Sequence, residues 1–255
     1  MFTMEIFLIL MVGIFGLLIG SFLNVVAIRT LTGESVAFPS SHCMACHTAL
    51  KPYELVPILS YVLLRGKCRS CKIQISPVYP IGELVTSMLF MLFAWKLGFQ
   101  LELIPGLIFI SIMVIIVQTD IKKRIIPDRV LLYGLIVIVL FRLFIFHPLP
   151  LWNYTLASLI VGVLLYTLAA VSKGGIGGGD IKLFALIALF MGMKATLLTL
   201  FAASLIGFLF GMLGRLQQER KHITAIPFGP YIALVGTFAY LWGEPLFDWY
   251  WGLFT

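Results

Sequence analysis

From residue 4 to residue 28 the chain carries one charge, Glu5, and two strongly polar side chains, Ser21 and Asn24. About 20 residues of helix cross the hydrocarbon of a bilayer, so this stretch is a membrane helix before anything else is considered. Seven more apolar stretches are long enough or nearly so: 81–96, 103–119, 130–146, 154–172, 183–193, 195–214 and 228–242, with 183–193 the shortest. The predicted fold is an all-α polytopic membrane protein of about eight transmembrane helices. A hydrophobic content of 61%, a charged content of 11% and a mean hydropathy of +1.07 lie far outside the soluble range.

A formal net charge of +7 would suit nucleic acid, but the basic residues are scattered over loops without aromatic interleaving. Topology accounts for them better. If the loops after the first, third, fifth and seventh spans face the cytoplasm, only Lys96, Arg142 and Lys194 of the 18 lysines and arginines fall on the other side. The positive-inside rule then puts both termini outside the cytoplasm. No basic residue precedes the first span, the reverse of a cleaved signal peptide, so it is expected to remain as an anchor. Within it Gly13, Gly16, Gly20 and Ser21 recur at helical spacing, which suits close packing of helices in lipid. Ser21 and Asn24 either bond to a neighbouring helix or bind substrate backbone.

The long polar insertion, residues 29–80, holds every cysteine. Cys43-Met44-Ala45-Cys46 and Cys68-Arg69-Ser70-Cys71 are two Cys-x-x-Cys knuckles, the ligand set of a structural Zn²⁺ in a zinc ribbon. Disulfides or bare thiols compete, although a reducing cytoplasm disfavours the former. His42 and His47 flank the first knuckle without being needed as ligands. A segment this short buries little core, so the metal is expected to be a staple. The expected organisation is a first helix at 1–28, a cytoplasmic zinc-binding insertion at 29–80, and a membrane core at 81–255. Glu83, just inside the second span, is either a first-turn acid complementing the helix dipole or a substrate-facing group.

Two acids stand out at the membrane edge. Asp180 follows Gly177-Gly178-Gly179 between two apolar segments, and an ionisable residue so placed is a functional-site hypothesis; the plainer alternative is an N-cap on the next helix. Asp120 ends the third span, where the macrodipole disfavours a carboxylate. On the expected topology both lie at the same depth on the same side. Asp128 reads as an N-cap for the fourth span in preference to a catalytic group. Arg142 and His147 read as outer-edge anchors, residues 215–222 as a solvated basic turn, and Pro227-Phe228-Gly229-Pro230 as a stiff lead into the eighth span that could flank the acids.

The stretch 43–71 running into Tyr79-Pro80 and Glu83, the segment 120–128, Gly177-Gly178-Gly179-Asp180-Ile181-Lys182-Leu183, and Pro227-Phe228-Gly229-Pro230 together resemble the type IV prepilin peptidases. These are GxGD-type aspartic membrane proteases that also mature the pseudopilins of type II secretion. The resemblance spans the chain nearly end to end and departs from the family pattern at Met44 and Gly82. It implies that Asp120 and Asp180 are the catalytic pair at the cytoplasmic face of the bacterial inner membrane. It further implies cleavage of a basic leader after a glycine in prepilins or pseudopilins, then N-methylation of the new terminus with S-adenosylmethionine.

Two adjacent carboxyls share a proton, one activating water while the other polarises the scissile carbonyl. The dipole argument assigns that proton to Asp120, at a helix C-terminus. Gly177, Gly178 and Gly179 would offer backbone to an extended substrate strand. Lys182 either tunes the acids, holds a substrate acid, or snorkels to the interface. An ion channel or transporter with a zinc-stapled cytoplasmic domain is the rival, weakened by the scarcity of other charges in the spans.

Overall fold

The computed structural model describes residues 2–145, 148–173, 175–217 and 227–253. His147, Gly174 and residues 218–222 of the expected basic turn lie outside the described residues. The chain forms two compact units, Met1–Phe99 and Gln100–Thr255.

In the first unit, α1 (Phe2–Thr32) packs on α3 (Val78–Leu97), with a 3-10 turn (Pro52–Leu55) and a short α2 (Leu59–Leu63) between them in sequence. The glycine ladder makes this contact. A Cβ on Gly16 would fall 2.9 Å from Ser87 Cα, and one on Gly20 would fall 2.8 Å from Glu83 Cα. Ser87 Oγ donates to the Gly13 carbonyl at 2.8 Å, and Asn24 Nδ2 to the Tyr79 carbonyl at 2.9 Å. Asn24 therefore takes the helix-bridging role. The compact units part between Phe99 and Gln100.

The second unit contains α4 (Leu103–Lys123), α5 (Asp128–Phe144), α6 (Leu151–Val171), α7 (Gly178–Gln217) and α8 (Gly229–Trp251). Helix α7 packs against α5, α6 and α8, and α4 packs against α8. Phe109, Ile110, Ile116, Phe184, Ile187, Phe190 and Ile232 are almost fully buried in it.

Forty residues of α7 would reach about 60 Å if straight, twice the hydrocarbon thickness. Gly192, at φ 73° and ψ −172°, breaks the helix there, so the sixth and seventh expected spans are its two halves. The break leaves backbone groups unpaired, and side chains from α5 and α6 take them. Arg142 Nη2 donates to the Phe190 carbonyl at 2.6 Å, and the Met193 amide donates to Asn153 Oδ1 at 3.0 Å. Arg142, read from sequence as an outer-edge anchor, is instead 4% exposed.

Among the described residues five helices, α1, α3, α4, α6 and α7, are long and apolar enough to cross a membrane. Helix α5 has 17 residues. Outward-facing Phe15, Phe22, Leu132, Ile136, Phe201 and Phe208 give the helices apolar flanks fit for lipid. The chain is an all-α, multi-pass membrane protein.

Candidate active site

Asp120 lies in the last turn of α4, 5% exposed. Arg124, in the left-handed conformation at φ 56°, stops the helix and donates its amide to the Asp120 carbonyl at 2.8 Å. Pro127 then precedes α5 as its N-cap. On the other side the Gly229 amide, at the first position of α8, donates to Asp120 Oδ2 at 2.7 Å. A Cβ on Gly229 would fall 2.9 Å from that oxygen, so the residue type is fixed by the closeness of the acid. The negative end of α4 that was expected to burden Asp120 is thus met by the positive end of α8, and the dipole argument for placing the shared proton on Asp120 loses its basis. Gly229 is the group that sequence reasoning underused; Pro-x-Gly-Pro at the head of an apolar run was its signal.

Asp180 lies in the first turn of α7, two residues inside the helix start at Gly178, so it is not the N-cap. A Cβ on Gly177 would fall 2.9 Å from Asp180 Oδ2, and one on Gly179 would fall 2.9 Å from Ile126 Cβ, whereas Gly178 faces open space. Gly177 thus leaves room for the carboxylate, and Gly179 lets α7 approach the turn that follows Asp120. One helical turn beyond Asp180, the Phe184 ring meets Phe228, the neighbour of Gly229, at 6.3 Å between centroids. The two carboxyl groups are near enough to interact electrostatically. Two acids 60 positions apart (180 − 120) in the sequence are thus brought within electrostatic reach of each other in the second unit.

Lys182 turns elsewhere. Its Nζ bonds Asp128 Oδ1 at 2.8 Å, both side chains being more than half exposed. Asp128 is not the N-cap of α5 but its first helical residue, after Pro127, and no side-chain cap bond is made. Glu83 belongs to the first unit and lies beyond the first turn of α3, which holds no acid. Its Oε2 accepts the Ile58 amide at 2.8 Å.

The four cysteines converge in the first unit, their Sγ atoms all within 4.8 Å of one another. The two knuckles fold alike. The amides of Cys43 and Cys68 donate to the carbonyls of Thr48 and Ile73, and the residue after each second cysteine, His47 or Lys72, adopts a positive φ near the left-handed region, at 54° and 59°. Zn–S bonds of about 2.3 Å in a tetrahedron put neighbouring sulfurs about 3.8 Å apart, and Cys43 and Cys71 are at 3.8 Å.

The thiols titrate unequally. Hydrogen bonds with Thr48 bring Cys46 down to about 6, while Cys71, in spite of its bond to the Ile73 amide, is pushed up to about 11 by desolvation and its three thiol neighbours. Four thiolates this close need a cation. The donor set and spacing fit a metal, and the cysteines form no disulfide.

Residues 14–97 match the family described as the bacterial peptidase A24 N-terminal domain, and residues 107–212 match the type IV leader peptidase family. Similar curated proteins are named prepilin leader peptidase/N-methyltransferase. One from Bacillus subtilis strain 168 is 40% identical over 238 residues, covering 93% of this chain and 95% of its own length. Another from Pseudomonas putida is 32% identical over 270 residues, covering 94% and 93%. A third, from Pseudomonas aeruginosa, is 32% identical over 274 residues, covering 91% and 89%. No solved structure matches. With such identity sustained along both chains, and with both halves matched by family patterns in order, the chain belongs to the type IV leader peptidase family.

Proposed function

We propose that the chain is a membrane-embedded aspartic endopeptidase that removes the leader of prepilins or pseudopilins after a glycine and then N-methylates the new terminus. The observation that supports this reading is that Asp120 and Asp180 lie within electrostatic reach of each other, with the Gly229 amide donating to Asp120 Oδ2. The pair holds one proton between its two carboxyls. The ionised carboxyl takes a proton from water, whose oxygen bonds to the scissile carbonyl carbon. The protonated carboxyl gives its proton to the carbonyl oxygen. Collapse of the tetrahedral species breaks the C–N bond, and the leaving amine recovers a proton. Gly177, Gly178 and Gly179 border Asp180, and the open space at Gly178 suits an extended substrate strand. Lys182 and Asp128 flank the site as an exposed pair.

Cys43, Cys46, Cys68 and Cys71 would hold Zn²⁺, whose chemistry here is to staple the insertion: four thiolates leave no open position for catalysis. In the methylation half, the new terminal amine donates its lone pair to the methyl carbon of S-adenosylmethionine. The C–S pair returns to sulfur as S-adenosylhomocysteine, and the ammonium proton leaves to solvent or a carboxylate. The distribution of Lys and Arg supports an inner-membrane topology with both termini outside and the acids at the cytoplasmic face. A channel or transporter is not favoured by the family relation.

Cleavage of a purified prepilin in detergent tests the proposal. Asp120→Asn and Asp180→Asn each abolish it, and full cleavage by either variant rejects the acid pair.

A further inference from the structure

Between Glu54 and Glu83 the insertion carries no acid and four basic residues, Arg65, Lys67, Arg69 and Lys72, all of them exposed. Just ahead of this run, α2 turns its apolar side chains outward. Leu59, Val62 and Leu63 stand at i, i+3 and i+4, one face of a helix, and all are exposed, Val62 at 63% and Leu63 at 73%. Leu55 and Val56, in the turn before, are exposed as well. The other side of α2 is occupied: the Tyr61 hydroxyl donates to the Ile75 carbonyl at 3.3 Å and lies 2.9 Å from where a Cβ on Gly66 would be. An outward apolar face rimmed by cations marks an interaction surface, and its depth says with what. Helix α3 has 20 residues, about 30 Å at 1.5 Å per residue, which matches the hydrocarbon core of about 30 Å. Its first residue, Val78, therefore stands at the membrane edge. The Ile58 amide, immediately before α2, donates to Glu83 Oε2 at 2.8 Å, and Glu83 is five residues (83 − 78) inside that edge. Even with the glutamate reaching back toward the helix start, α2 is tied at the level of the first turns of α3, not carried out into water.

We infer that α2 lies in the membrane interface, with Leu59, Val62 and Leu63 sunk among the lipids and the cations that follow it set against anionic phospholipid headgroups. Apolar burial and attraction of basic side chains to anionic lipid act together in such elements. A helix of five residues does not hold itself together in isolation, but α2 is fixed at both ends, by the Glu83 bond in front and by the cysteine cluster that begins again at Cys68 behind. Lys67, Arg69 and Lys72 alternate with Cys68 and Cys71, so the fold of that knuckle sets the spacing of the cations. A basic leader peptide carries the same sign as this rim and is disfavoured as its occupant. The inference concerns the first unit alone and stands apart from the acid pair.

The test places a photoreactive side chain in the full-length protein, reconstituted in nanodiscs of phosphatidylcholine and phosphatidylglycerol at about three to one, with adducts read by mass spectrometry. Leu59→p-benzoylphenylalanine and Leu63→p-benzoylphenylalanine, each checked for native elution, give lipid adducts on illumination. Tyr61→p-benzoylphenylalanine, facing inward, gives adducts within residues 1–99. Phosphatidylglycerol is enriched about twofold in the lipid adducts over its share of the bilayer, and adding Arg65→Gln with Lys67→Gln removes the enrichment. Lipid adducts no more frequent at position 63 than at position 61 overturn the inference, as do adducts that map to residues 100–255 or to a second copy of the chain, which would show a protein partner instead. Lipid adducts without enrichment overturn the assignment of the cations to anionic headgroups. If a substituted protein fails to fold, hydrogen exchange of wild type decides: the amides of residues 59–64 exchange at least about threefold more slowly in the mixed nanodiscs than in phosphatidylcholine alone, and equal rates overturn the inference.

Discussion

Helix α4 is bounded by two acids about 27 Å apart at 1.5 Å per residue, and they are treated in opposite ways. Glu102, at its N-terminal end, receives both arms of the Arg142 fork at 2.7 Å each and the Tyr240 hydroxyl at 3.0 Å, while the Tyr154 ring lies 4.4 Å from the guanidinium. Arg142 spends a further bond on the Phe190 carbonyl at the α7 break. Asp120, at the other end, faces one main-chain amide and a second acid. A charge that serves the fold is matched by an opposite charge with its geometry filled. A charge that serves chemistry is left with a capacity unspent, here the ability to pass a proton within a pair.

The contrast is broken most directly at the acid pair. Asp120→Asn or Asp180→Asn lowers the cleavage rate by at least the roughly 10²–10⁴-fold typical of a positioned acid or base. Thermal unfolding in detergent stays unchanged or rises, because a repulsive pair has been relieved. Arg142→Met does the reverse, leaving the half-buried Glu102 without its cation and costing up to about 3 kcal/mol, read as a fall in unfolding temperature. A folded Arg142→Met protein of wild-type stability that had lost cleavage would erase the distinction.

Gly229→Ala sharpens it. The added methyl meets the Asp120 carboxylate and costs about 1–3 kcal/mol of overpacking, read as a fall in unfolding temperature smaller than that of Arg142→Met and accompanied by a roughly tenfold drop in turnover. Lys182→Ala, which removes an exposed ion pair worth less than about 1 kcal/mol, changes stability least. A loss of turnover beyond a few-fold in that variant would move Lys182 from the rim into the chemistry. Independently of these, Cys43→Ser should reduce bound zinc, measured by mass spectrometry, from one equivalent to well below half.

Much of this was legible in one dimension because lipid imposes a simple rule: apolar runs become helices. The glycine ladder of α1 and the four-cysteine cluster are local patterns, and each was found where its spacing pointed. The misreadings concern partners. Asp128 reads as an N-cap because it precedes an apolar run, yet it faces Lys182. Arg142 reads as an anchor because it stands near a helix end, yet it caps a break two helices away in sequence. Of the two readings of Glu83, dipole companion or substrate-facing group, the first does not hold, because it lies deeper in α3 and lines a cavity.

The sequence by itself determined which segments are helical and which residues are too polar for their surroundings, because hydrophobicity and charge belong to each residue alone. Only the tertiary structure decided what meets those polar groups: the α8 amide at Asp120, the guanidinium at Glu102, nothing at Asn24 Oδ1. Hydrogen bonds and ion pairs are set by distances of a few ångströms between residues as much as 138 positions apart, and no local pattern encodes those distances.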